Sequence, residues 1–124
     1  LTLVLEDTGG QFPAGVRSPR GGVAVRVSPH PGVRRVLGAL GGPVVSTSAN
    51  LPGGAPALTA KEVEDLVESL DLGAPLWILD GGVLRPSPPS TIVDCSGEEP
   101  RVVRVGAIPA GRLRCVLPEL KQQA

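Results

Sequence analysis

"VAVRVSPHPGVRRVLGALGG", residues 23–42, changes its period halfway. Val23, Val25 and Val27 fall at every second position, with Ala24, Arg26 and Ser28 on the opposite face, as in a half-buried strand. After Pro31 the apolar residues Val33, Val36, Leu37 and Leu40 recur at i, i+3, i+4 and i+7, which is one face of a helix. Gly41 and Gly42 supply the stop. A strand that passes directly into an amphipathic helix points to an α/β fold.

The flanking segments repeat this alternation. "LTLVL" at residues 1–5 reads as a strand, followed by a Gly- and Pro-rich loop. "PVVST" (43–47) reads as a short strand ending in a polar burst. Thr59 opens a second helix with a capping box, Thr59 at the N-cap and Glu62 three residues on. Val63, Leu66, Val67 and Leu70 form its apolar stripe. "PLWILDGG" (75–82), "STIVDCS" (90–96) and "RVVRVG" (101–106) read as further strands, and "IPAGRLRCVL" (108–117) as a last short helix near Pro109. The expected order is β–loop–β–α–β–α–β–β–β–α, a mixed α/β sheet. A domain is expected over residues 1–117, with a frayed tail at 118–124.

Composition narrows the function classes. The 124 residues suffice for one core. No apolar run approaches a membrane span, and no leader pattern opens the chain. Gly (17) and Pro (14) make a quarter of the chain, yet they punctuate well-patterned segments and read as turns. Net charge is zero, but residues 1–58 carry +3 and residues 59–124 carry −3. The first part could attract a polyanion such as a nucleotide or RNA. Phe12 and Trp77 are the only aromatics, too few for a base-stacking platform. One His and two Cys without CxxC spacing argue against zinc.

Classical catalytic signatures are missing. His30 is the only imidazole, so no Ser-His-Asp set with credible spacing is present and no second base of that type is available; between its two prolines it reads as a helix-entry loop residue. Neither a Walker motif nor a GxGxxG after a strand occurs. Three places remain. "STSAN" (46–50) gathers hydroxyls and an amide suited to phosphate oxygens, ribose hydroxyls or a carboxylate, or else forms an Asx/Ser turn. Arg26 either extends to solvent or clamps an anion. Ser90 and Arg104, near the ends of neighbouring strands, either share a ligand or lie on the surface.

In this order, "LTLVL", "VAVRVSPHPG", "PVVSTSANLPGGAP", "TAKEV", "ILDGG", "PSTIVD" and "VVRVGAI" resemble the YrdC-like family, the threonylcarbamoyl-AMP synthases. The resemblance extends over nearly the whole chain, excluding the tail. It implies a twisted mixed α/β sheet with flanking helices around a concave cavity. It also implies condensation of L-threonine, bicarbonate and ATP to threonylcarbamoyl-adenylate and pyrophosphate, for the threonylcarbamoyladenosine modification of tRNA. ATP would act as substrate with Mg2+, without zinc or a redox cofactor. The implied setting is cytoplasmic and free of membrane. The implied partners are tRNA or double-stranded RNA and, downstream, the tRNA threonylcarbamoyltransferase machinery.

Residue by residue, the resemblance assigns Ser48, Asn50 and Arg104 to ATP, and Arg26, Ser46 and Ser90 to L-threonine. No side chain is a catalytic nucleophile or a metal ligand in this reading. Placement and charge stabilisation carry the chemistry. Gly22 replaces a hydroxyl residue common just before "VAVR", and Pro52 departs from the usual "SANLSG". The family's upstream strand–helix segment, its Lys/Arg-rich nucleotide motif and a "PGP" before "TLVL" have no counterpart. The chain is therefore expected to be the C-terminal part of the domain, lacking its N-terminal portion. Two other readings are a non-catalytic RNA-binding module of the same fold and a YrdC-like segment of a hydrogenase-maturation carbamoyltransferase. Low aromatic content and zero net charge weigh against the first, and absent zinc-finger and acylphosphatase-like segments against the second.

Overall fold

Four short strands form the sheet that carries three of the six candidate residues. In the computed structural model, which describes residues 1–70, 73 and 75–122, these are β1 (Thr2–Glu6), β2 (Gly22–Val25), β3 (Ile92–Asp94) and β4 (Arg101–Arg104). Their spatial order is β2-β1-β3-β4. β1 runs antiparallel to β2 and parallel to β3, and β3 runs antiparallel to β4 with an irregularity between Ile92 and Val93. The mixed α/β architecture expected from the alternating patterns is therefore present.

The chain divides into two units, residues 1–29 with 87–124, and residues 30–86. The first holds the sheet and α3 (Ala110–Arg114). Its core is Val93, Val102, Leu113 and Leu120, with Leu3, Cys95, Ile108, Ala110 and Leu117 packed against them. Leu120 corrects the expectation of a frayed tail. It is only 4% exposed. Lys121 donates its N–H to Pro100 O (3.0 Å) and accepts the Val102 N–H (3.0 Å), which extends the sheet along β4. Burying one leucine and extending the sheet by two backbone hydrogen bonds together offset part of the cost of ordering the few residues that carry them.

β2 is shorter than its valine alternation suggests. Val23 is buried, but Val27 is 93% exposed. The ladder with β1 ends at the pair Leu3↔Val25. Beyond it neither Arg26 nor Val27 has a paired residue among the described residues.

The second unit holds α1 (Pro31–Leu40) and α2 (Ala60–Leu70). Pro31 starts α1 with its φ already fixed, and Gly41 ends it at φ 69°, donating to Leu37 O at 3.0 Å. At α2, the Glu62 N–H donates to Thr59 Oγ1 (3.2 Å), and Glu62 Oε2 accepts the Leu58 N–H (2.6 Å). The expected cap is in place, with the carboxylate reaching one residue further back than the N-cap.

The strands expected at 43–47 and 75–80 are not formed: both segments are irregular in their described residues. Val45, Trp77 and Leu79 are 81%, 94% and 72% exposed. An apolar, β-branched run becomes a strand only beside a ladder partner, and neither segment has one among the described residues.

Candidate functional site

The strand directions of the sheet gather three of the six candidate residues at one end. β1 and β3 begin there, and β2 and β4 finish there. Thr2 pairs with Ile92, and Ile92 with Arg104. Arg26 follows the last β2 pair, Leu3↔Val25, and so leaves the sheet at the level of Thr2. Ser90 and Thr91 immediately precede β3.

Ser90 and Arg104 are in direct contact. Arg104 Nε and Nη2 both donate to Ser90 O, at 3.1 and 2.8 Å, and Nη2 also lies 3.4 Å from Ser90 Oγ. One edge of the guanidinium is thereby oriented while the residue stays exposed. A fixed, solvent-facing guanidinium is suited to an anion, because little side-chain freedom remains to be lost. Ser90 Oγ lies 2.8 Å from Thr2 Oγ1. Arg26 is exposed at the same sheet end.

Beneath this pair is a residue that sequence reasoning passed over. Thr91 is completely buried. Its Oγ1 accepts the N–H groups of Gly106 (2.9 Å) and Ile108 (3.1 Å) and donates to Ile108 O (2.6 Å). One hydroxyl with one donor and two acceptor sites is thereby fully used. Gly106 is required by close approach: a Cβ there would collide with Pro89 O. The motifs "PSTIVD" and "VVRVG" thus form one interlocked unit. The sequence signal was the glycine two residues after Arg104, in a position where no turn was expected.

The other three candidates lie in the second unit. Ser46 and Ser48 are exposed in the irregular stretch after Pro43. Asn50 is half-buried and lines an open concavity of about 450 Å³ with Leu51, Ala55, Pro56, Glu62 and Leu66. Its Nδ2 donates to Leu51 O (2.7 Å), whereas the buried Oδ1 has no hydrogen-bond partner among the described residues. An unmet buried acceptor favours a ligand that donates there.

At the opposite end of the sheet the charges serve the fold. Asp94 Oδ1 accepts the N–H (3.0 Å) and Oγ (2.6 Å) of Ser96, and these hydrogen bonds hold its carboxyl below the usual range, with Arg101 and Arg20 adding to the effect. Asp7 accepts the N–H groups of Gln11 (2.9 Å) and Phe12 (3.1 Å) and faces Arg17 at 3.9 Å, closing the loop after β1. Gly22 is buried, and a Cβ on it would lie 2.7 Å from Val4 Cγ1. Among the described residues no cluster of His, Cys, Asp or Glu could hold a metal ion. No helix there is long and apolar enough to cross a membrane.

The family model Sua5/YciO/YrdC, described as telomere recombination, matches residues 1–106, and the chain belongs to that family. It is 41% identical over 98 residues to the threonylcarbamoyl-AMP synthase of Chromohalobacter salexigens, covering 79% of this chain and 50% of that protein. The threonylcarbamoyl-AMP synthase of Neisseria gonorrhoeae is 39% identical over 93 residues, covering 75% and 47%. Among solved structures, a double variant of P. abyssi Sua5 superposes with a TM-score of 0.73 at 26% identity, covering 98% of this chain and 36% of that one. The fold is therefore YrdC-like. The chain spans about half the length of the curated relatives it matches.

Proposed function

We propose that the gene product carrying this chain makes L-threonylcarbamoyladenylate from L-threonine, bicarbonate and ATP, releasing pyrophosphate, for threonylcarbamoyladenosine modification of tRNA. The observation that carries the reading is the oriented Ser90–Arg104 pair at a sheet end shared with Arg26. Relatives named threonylcarbamoyl-AMP synthase, about 40% identical, support it.

Ser48, Asn50 and Arg104 are assigned to ATP, which arrives with Mg2+ as substrate, and Arg26, Ser46 and Ser90 to L-threonine. The threonine amine condenses with bicarbonate to give a carbamate, and the displaced oxygen leaves as water. The carbamate oxygen attacks the α-phosphorus of ATP, and pyrophosphate leaves with the electrons of the broken P–O bond. No side-chain nucleophile is required. The guanidinium of Arg104 offsets phosphate charge, and the hydroxyls fix the amino acid for in-line attack. The enzyme works in the cytoplasm and delivers its product to the tRNA threonylcarbamoyltransferase machinery.

The test is ATP-dependent formation of threonylcarbamoyl-adenylate from threonine and bicarbonate, followed by mass spectrometry and pyrophosphate release. Formation of both products supports the proposal. Tight tRNA or double-stranded RNA binding without either product overturns it in favour of an RNA-binding module of the same fold.

A further inference from the structure

Thr2 is the residue on which the candidate end of the sheet converges. It sits at the start of β1, between β2, from which Arg26 emerges, and β3, which Ser90 precedes. Its N–H donates to Thr91 O at 2.8 Å, and its Oγ1 lies 2.8 Å from Ser90 Oγ. We infer that Thr2 is a positioning residue that sets the direction of the Ser90 hydroxyl toward the carboxylate of an amino-acid substrate. This rests on the reading of Ser90 as a threonine contact.

The donor inventory gives the reason. A guanidinium can only donate, so at 3.4 Å from Arg104 Nη2 the Ser90 oxygen faces a donor. Either hydroxyl of the Thr2–Ser90 pair can be the donor, so the Ser90 proton can rest on Thr2 Oγ1 in the free protein. A carboxylate arriving at Ser90 needs that proton. Thr2 can release it by reversing the bond, donating its own hydrogen to Ser90 Oγ while Ser90 donates to the carboxylate. Ser90 Oγ would then accept from Thr2 and Arg104 and donate to the ligand, using all three of its sites. A side chain without a hydroxyl at residue 2 removes the donor that completes this arrangement. Ser90 would then lose both an acceptor for its proton in the free protein and a donor in the complex.

A Thr–Ser pair across neighbouring chain segments could also serve stability alone, and the experiment separates the two roles. Thr2→Val keeps the shape and the β-branch. It is expected to raise the KM for threonine about tenfold, and to leave the KM for ATP within about twofold and the melting temperature nearly unchanged. Thr2→Ser is expected to restore threonine binding. On a Ser90→Ala background, Thr2→Val is expected to add no further loss, because its partner is already gone. If Thr2→Val does not fold, the same split is read in Thr2→Ala. An unchanged KM for threonine, an equal rise in both KM values, or a full additional loss on the Ser90→Ala background overturns the inference while leaving the proposed function intact. A parent protein that neither forms the adenylate nor binds threonine overturns both.

Discussion

The buried hydroxyl of Thr91 accepts the N–H of Gly106 at 2.9 Å, joining the start of β3 to the turn after β4. The same oxygen holds both polar groups of Ile108's backbone. The backbone between Pro89 and Thr91 therefore sits where Ser90 O can capture the Arg104 guanidinium. A structural threonine and a glycine define the place of two functional candidates.

Thr91→Val is expected to lower stability by about 2–3 kcal/mol, because three part-buried backbone groups lose their partner. Thr91→Ser should cost less than about 1 kcal/mol, since it keeps the hydroxyl. Gly106→Ala is expected to be worse than either, at about 3 kcal/mol or more, because its Cβ would meet a backbone oxygen that cannot move aside independently. Urea unfolding of the three variants checks the ranking.

Gly22→Ala places a methyl 2.7 Å from Val4 Cγ1 across the β1–β2 pair. The expected loss is about 1–3 kcal/mol. Val4→Ala in the same chain should recover part of it by making room. Two losses that simply add would show that the contact with Val4 is not the cause.

Arg104→Ala is expected to weaken ATP binding at least about tenfold, as loss of a charge-assisted contact implies, with little change in melting temperature. Arg104→Lys should not restore it, because a single ammonium cannot hold Ser90 O through two parallel N–H groups and still present a fork to phosphate. Ser48→Ala should also weaken ATP binding at unchanged stability, since Ser48 is exposed. Calorimetric titration with a non-hydrolysable ATP analogue measures all three. A large fall in melting temperature with normal affinity would mark these residues as structural.

Asp94 predicts a pH dependence. Its carboxyl titrates lower in the fold than its ordinary value of 3.8, chiefly because of the Ser96 hydroxyl. The unfolded chain therefore binds this proton more readily than the folded one. The stabilisation is complete above the ordinary carboxylate range and is lost as pH falls through the folded value. Melting temperatures between neutral and strongly acidic pH should show a shallower acid limb for Ser96→Ala than for the parent. Parallel curves would exclude this source.

The two thiols should differ in reactivity. Burial, with the neighbouring Asp94 charge, pushes the Cys95 thiol up, and Cys95 is half-buried. Cys115 is exposed. At slightly alkaline pH an alkylating reagent should modify Cys115 first, because it is exposed while burial keeps the Cys95 thiol protonated and shielded. Peptide mass mapping after partial reaction reads the order.

Much of this fold was legible because the informative signals are local. The i, i+3, i+4 stripes marked α1 and α2, Thr59 and Glu62 marked the cap, a period-two run marked β2, and short apolar runs marked the other three strands that formed. Ser90 and Arg104 stand out in the sequence near the ends of neighbouring strands, as residues that either share a ligand or lie on the surface, and only the structure puts them in contact. The same local signals misled at 43–47 and 75–80, where apolar runs lack a ladder partner among the described residues, and at Val27, which lies beyond the ladder's last pair. They also missed Leu120, whose burial depends on distant Val93 and Val102.

The sequence by itself determined where helices start and stop, which residues could bind an anion, and the family whose motifs it carries. Those features depend on side chains within a few positions of one another. Only the tertiary structure decided that Arg26, Thr2, Ser90 and Arg104 share one end of the sheet, and that Thr91 and Gly106 hold that end together. Strand direction, register and a contact that excludes even a Cβ arise between segments far apart in the chain, so no local pattern encodes them.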